Sequence, residues 1–93
     1  MKLIDVWEEQ AGPMSESEAF ELGVRNYSEC QDLMDKLVSR REELGISQRE
    51  MARRMGISQP AVAQFELSSS NPTLSTIVRY ANNLGVELLL SVK

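Results

Sequence analysis

The chain has 93 residues, 42% apolar and 26% charged, with a formal net charge of −4, which suits one small globular domain. It has one cysteine, Cys30, and no histidine, which removes an internal disulfide, the usual general base, the commonest transition-metal ligand and any Cys–His nucleophile pair. An enzyme, a metal site and a bound cofactor are therefore not expected, and no apolar run approaches the roughly 20 residues that a membrane span requires.

The opening MKLIDVWEEQ lacks the basic-then-apolar layout of a secretory signal. A lone cysteine suits a reducing compartment, so a cytoplasmic location is expected. Charge is unevenly spread. Residues 1–30 carry Lys2 and Arg25 against Asp5, Glu8, Glu9, Glu16, Glu18, Glu21 and Glu29, a net of −5. Residues 31–93 carry eight basic and seven acidic side chains, a net of +1. An acidic leader thus precedes a near-neutral body, an asymmetry that often separates roles.

KLIDVW reads as a short strand or an extended arm, and Gly12-Pro13 breaks the chain. Ser15 and Glu18 have capping-box spacing and open a short helix over about 16–23. Tyr27-Ser28 is expected to interrupt it. Ser28 and Gln31 repeat the spacing and open a longer helix over about 29–44, in which Leu33, Met34, Leu37, Val38 and Leu44 form an apolar stripe. Gly45 stops that helix.

Ser47 is a good N-cap, with Glu50 three residues on, for a helix over 48–55. Met51, Ala52 and Met55 would face inward, and Arg49, Arg53 and Arg54 outward. Gly56 follows as a left-handed C-terminal residue. Ser58 caps the next helix, with Pro60 in its first turn, where a missing N–H does no harm. Val62 and Phe65 would join Ile57 in the core, leaving Gln59, Ala61, Ala63 and Gln64 for the surface. After the loop SSSNP, Thr73 caps a fourth helix in which Leu74, Ile77, Val78, Ala81 and Leu84 recur at helical spacing, and Gly85 ends it. In the tail VELLLSVK, residues Val86, Leu88, Leu90 and Val92 fall on one face at strand period.

Two short helices joined by a tight turn with Gly at its first position form a helix-turn-helix arrangement. Ala52 must be small because the second helix crosses close above it, Gly56 makes the turn, and Val62 locks the second helix on the first. A helix that enters a major groove has no room for bulky apolar residues on its outer face. Its glutamines can pair with adenine N6 and N7, and its alanines can touch a thymine methyl.

RREELGISQREMARRMGISQPAVAQFE and NPTLSTIVRYANNLG resemble the Cro-repressor, or xenobiotic-response-element (XRE), family of helix-turn-helix proteins over residues 36–85. The resemblance implies an all-α, lambda-repressor-like helical bundle that binds double-stranded operator DNA as a homodimer. It implies that Gln48 hydrogen-bonds a phosphate, that Gln59 meets a base edge, and that Gln64 reads another base or contacts the backbone. Ser58, Ala61 and Ala63 would lie along the same interface, with Arg49 and Arg53 beside phosphates. Arg41 and Glu66 match a position pair that forms a buried ion pair behind the motif. Pro60 stands where the family often has a polar, DNA-facing side chain, so one contact is expected to be missing. The loop Leu67–Asn71 lacks Lys and Arg, so its phosphate contacts must come from Ser69, Asn71 and backbone N–H groups.

These readings divide the chain into an acidic N-terminal extension over 1–28, a DNA-binding domain over 29–85 and a C-terminal strand over 86–93. The strand could fold back onto KLIDVW, or pair with its own copy across a two-fold axis as a dimerisation element. Small antitoxins with this helix-turn-helix end in a similar apolar strand, so pairing between copies is the expectation. The leader would pack on the bundle through Phe20, Leu22 and Val24, or serve as an arm for a cognate toxin protein. Three functions follow: a DNA-binding regulator acting as a repressor; an antitoxin that binds both a small toxin and its own operator; and an adaptor that keeps the fold without binding DNA.

Overall fold

A computed structural model describes residues 14–67 and 70–92. Four helices follow in order: α1 over Glu16–Glu43, α2 over Gln48–Met55, α3 over Gln59–Glu66 and α4 over Leu74–Leu84. The chain divides into two compact units, Met1–Asp32 and Leu33–Lys93. The KLIDVW segment lies outside the described residues.

In the first unit, Ser15 caps α1. Its hydroxyl accepts from the Glu18 N–H at 3.2 Å, and the Glu18 carboxylate accepts from the Ser15 N–H at 3.4 Å, so two otherwise unpaired donors are satisfied reciprocally. The expected interruption at Tyr27-Ser28 is absent, and α1 runs unbroken for 28 residues. Tyr and Ser in a helix interior cost only about 0.5 kcal/mol relative to Ala, far less than a proline's ~3 kcal/mol. Gln31 does not close a second capping box; its amide donates to the Tyr27 hydroxyl at 3.0 Å, one helical turn back. Phe20 and Val24 are exposed and Leu22 half-buried. Cys30 is an exposed free thiol.

In the second unit one apolar core collects residues from every helix. Met34 and Leu37 come from α1, Met51, Ala52 and Met55 from α2, Val62 from α3, and Ile77, Tyr80, Ala81 and Leu84 from α4. Ile46, in the α1–α2 connection, is buried with them, and Leu33, Val38, Ile57, Phe65, Val86 and Leu88 pack around the edge. Each fully buried aliphatic side chain of this kind contributes about 1.5–3 kcal/mol. α2 lies at the centre and packs on both α3 and α4. Three residues expected inside stand outside: Leu44, Leu74 and Val78 are exposed. Tyr80 takes the inward place on α4 with no exposure at all.

The ends of α2 and α4 are built alike. Each closes on a left-handed glycine, Gly56 and Gly85, and the next residue's N–H returns to a carbonyl five positions earlier (Ile57 to Ala52 and Val86 to Ala81, both 3.0 Å). This is a Schellman closure with its apolar residue, Ile57 or Val86, folded inward. Each helix also caps the other. Arg79 of α4 donates to the Met55 carbonyl at 2.7 Å, and Arg54 of α2 donates to the Asn83 carbonyl at 3.2 Å. A cation at a helix C-terminus also offsets the negative end of the helix dipole.

The expected C-terminal strand is absent from the described residues: 86–92 carry no regular secondary structure. A strand needs a second backbone to pair with, and none is paired with this segment here. The alternation read from the sequence has another use. Val86 and Leu88 pack at the edge of the core, while Leu89, Leu90 and Val92 are exposed.

Candidate nucleic-acid interface

The site is assembled by α2, the turn Gly56–Ser58 and α3. Ser47 accepts from the Glu50 N–H at 3.0 Å and starts α2. Glu50 does not return the bond to Ser47. Its carboxylate accepts from Arg53 Nε at 2.8 Å and from Arg54 Nε at 3.2 Å. Hydrogen bonds from Arg53, then Arg54, hold the Glu50 carboxyl down at about 2.

Gly56 sits at φ 68°, ψ 33°, a conformation that an L-residue with a Cβ adopts only at a cost. Ser58 then accepts from the Ala61 N–H at 3.3 Å and starts α3. Pro60 occupies the first turn of α3, where its fixed φ suits the helix and no donor is lost. Ala52 is 4% exposed and Val62 fully buried, so the small residue and the locking residue both lie in the core between the two helices.

The opposite side of α3 is open. Ser58, Gln59, Pro60 and Gln64 are exposed, and Ala61 and Ala63 are half-buried. The outward surface is thus two primary amides with small residues between them. Arg49 and Arg53 are exposed on α2. They are not equivalent: Arg53 is held by Glu50, whereas Arg49 has no ion pair or side-chain hydrogen bond among the described residues. A cation already neutralised by its own helix adds less to phosphate binding than a free one. Asn71 is exposed, and Ser69 lies outside the described residues.

Behind the motif, Arg41 and Glu66 meet with both forks: Nε to Oε2 at 2.9 Å and Nη2 to Oε1 at 3.0 Å. Their side chains are only 8% and 7% exposed. Three further groups complete the cluster. The Tyr80 hydroxyl accepts from Arg41 Nε at 3.1 Å and donates to Glu66 Oε2 at 2.6 Å. Gln48 Nε2 donates to Glu66 Oε1 at 3.0 Å. Arg41 Nη1 donates to the Ile46 carbonyl at 2.6 Å. Burial by itself would raise the Glu66 carboxyl, but the bonds from Arg41, Tyr80 and Gln48 outweigh it and hold the group below its ordinary range. Burial, with the bond to Glu66, pushes the Tyr80 hydroxyl above its own range. The cluster therefore stays a charged pair with a neutral phenol at physiological pH. It joins the end of α1, the start of α2, the end of α3 and the middle of α4.

Gln48 thus has a partner that sequence reading did not assign. One amide hydrogen is spent on Glu66, and a primary amide nitrogen carries a second. Tyr80, Arg54 and Arg79 were also not read as part of the architecture. For Tyr80 a signal existed: it lies three residues after Ile77 and four before Leu84 on the inward face of α4.

No helix among the described residues is long and apolar enough to cross a membrane. The chain matches the helix-turn-helix family over residues 37–90, more than half its length. It is 40% identical over 72 residues to antitoxin HigA1 of Mycobacterium tuberculosis, a match covering 77% of this chain and 48% of that protein. It is 36% identical over 56 residues to an uncharacterised HTH-type transcriptional regulator of Haemophilus influenzae, covering 60% of this chain and 57% of the relative. The chain therefore spans about half the length of the curated relatives it matches. No solved structure gives a significant match. Two capped helices around a left-handed glycine turn, the family match and these relatives agree: the chain belongs to the helix-turn-helix family of DNA-binding, non-enzymatic proteins, in its Cro-repressor (XRE) branch.

Proposed function

We propose that this protein is a sequence-specific transcriptional regulator, a repressor that binds double-stranded operator DNA as a homodimer. The observation that carries the reading is the two-sidedness of α3: Val62 anchors one side while Gln59 and Gln64 stand exposed on the other. In the major groove Gln59 would read a base edge, with adenine the best match for its amide, and Gln64 a second base or the backbone. Ala61 and Ala63 would admit thymine methyls. Gln48 would use its second amide hydrogen on a phosphate, and Arg49, Ser58, Asn71 and Ser69 would add backbone contacts. Pro60 would contribute shape alone.

Dimerisation would run through the tail, with the backbones of two copies pairing and Leu90 and Val92 covering one another. Such pairing would set two recognition helices roughly 34 Å apart, one turn of duplex. Titrating operator DNA at several salt concentrations tests the reading. Specific affinity should fall steeply as salt rises; a chain that binds no duplex at low salt is instead an adaptor.

A second reading is favoured by the 40% identity to antitoxin HigA1 and by the acidic N-terminal segment. In it the chain neutralises a small toxin through that segment and represses its own operon through α3. A reading frame for a small basic protein beside this one would favour the second reading over the first.

A further inference from the structure

The N-terminal half of α1 carries an exposed apolar stripe. Phe20, Val24 and Tyr27 are spaced four and three residues apart, which puts them on one face of a helix, and they are 66%, 50% and 41% exposed. Monomeric proteins seldom leave large apolar side chains aligned in water without a use for them. The rest of this stretch is acidic: between residues 14 and 32 stand Glu16, Glu18, Glu21, Glu29 and Asp32, against Arg25 alone.

That charge selects the occupant. Duplex DNA is repelled by it. A second copy would bring its own carboxylates against these, and like charges across an interface cost several kcal/mol. A partner that is itself cationic, with an apolar groove to receive three side chains from successive turns, meets both features at once. This is the helix-in-groove mode of recognition, with anchors at i, i+4 and i+7.

We propose that Phe20, Val24 and Tyr27 are the anchors by which α1 docks into an apolar groove on a basic partner protein. The proposal rests on the second reading above, that the chain has a protein partner, and adds to it the face that is used and the chemistry of what binds there.

The test is a photo-crosslinking amino acid placed at Phe20 in the full chain, expressed in its native cell, with a second probe at the exposed Glu29, nine residues on and on the opposite face of the same helix. The protein captured through position 20 is identified, made recombinantly and titrated against the wild-type chain, Val24→Asp and Gln59→Ala. The expected result is a partner of high isoelectric point. Its affinity should fall at least tenfold in Val24→Asp, fall with rising salt, and stay unchanged in Gln59→Ala. Circular dichroism of Val24→Asp should match the wild type, since the site is exposed. Capture of only a second copy, of the chain's own residues or of an acidic protein overturns the proposal. If a basic protein binds with full affinity to Val24→Asp, or is captured only through Glu29, the face is wrong although a partner exists. If neither probe captures another protein, the partner reading itself fails.

Discussion

Gln48 donates to Glu66 at 3.0 Å, so the residue that opens the first helix of the motif is tied to the residue that closes the second. Arg41 and Tyr80 bind the same carboxylate. The geometry between α2 and α3 is therefore held at both ends, by Gly56 in the turn and by Glu66 opposite it. A groove-reading helix needs that rigidity, because its amides must meet base edges within a few tenths of an ångström.

Removing one partner from this cluster leaves the other charge buried. Arg41→Ala should destabilise the fold by about 3–5 kcal/mol, the range for a broken buried pair, measured by urea unfolding. Arg41→Met combined with Glu66→Leu should lose less than the two single changes together, since the pair and its desolvation cost vanish at once.

Stability should depend on Glu66 in a particular pH window. Its folded-state carboxyl lies below the ordinary value of 4.5, with burial opposing and the bonds from Arg41, Tyr80 and Gln48 prevailing. A group depressed on folding contributes stability that is fully present above its unfolded value and is lost as pH falls through its folded value. The wild type should therefore lose stability as pH drops below about 4.5. The difference in unfolding free energy between wild type and Glu66→Gln should shrink over the same window. A difference that stays constant down to acid pH would remove Glu66 from the account.

Gly56 isolates a backbone effect. A Cβ built there meets nothing within 4 Å, so Gly56→Ala adds no clash. The left-handed conformation alone should cost about 1–2 kcal/mol, with a smaller loss for Gly56→Asn. Thermal unfolding of the three forms checks the order Gly, Asn, Ala.

On DNA, Gln59→Ala should weaken binding to the preferred sequence by about 1–3 kcal/mol, while non-specific binding and the fold stay unchanged. Arg49→Ala should weaken all sequences alike and reduce the salt slope by about 1. Arg53→Ala should change the slope less, because Glu50 already neutralises that guanidinium. Fluorescence anisotropy on specific and scrambled duplexes separates these outcomes.

Deleting the whole tail would confuse association with folding, since Val86 and Leu88 pack at the edge of the core. Leu90→Asp with Val92→Asp touches only exposed positions. It should yield monomers by sedimentation with an unchanged melting temperature for the helical core.

What the sequence revealed was mostly local. Ser47, Ser58 and Thr73 cap the helices they were expected to cap, because a hydroxyl before a helix satisfies donors within three residues. Arg41 with Glu66 was legible only through family resemblance, since nothing in local spacing links residues 25 positions apart. The continuity of α1 was missed because capping-type residues at Tyr27-Ser28 suggest a boundary, yet tolerate a helix interior. Gln48 on Glu66 and the exchange of caps between Arg54 and Arg79 depend on where helices meet, which pattern does not state. The tail alternation suggests a strand, but only its first two apolar residues, Val86 and Leu88, lie against the core, while Leu90 and Val92 are exposed.

Selection of bound sequences from a random duplex library tests the central claim most directly. A two-fold symmetric consensus, with half-sites about one helical turn apart and one position that relaxes in Gln59→Ala, is the predicted result. A pool that shows no enrichment, or a consensus unaffected by Gln59 and Gln64 alike, would contradict it.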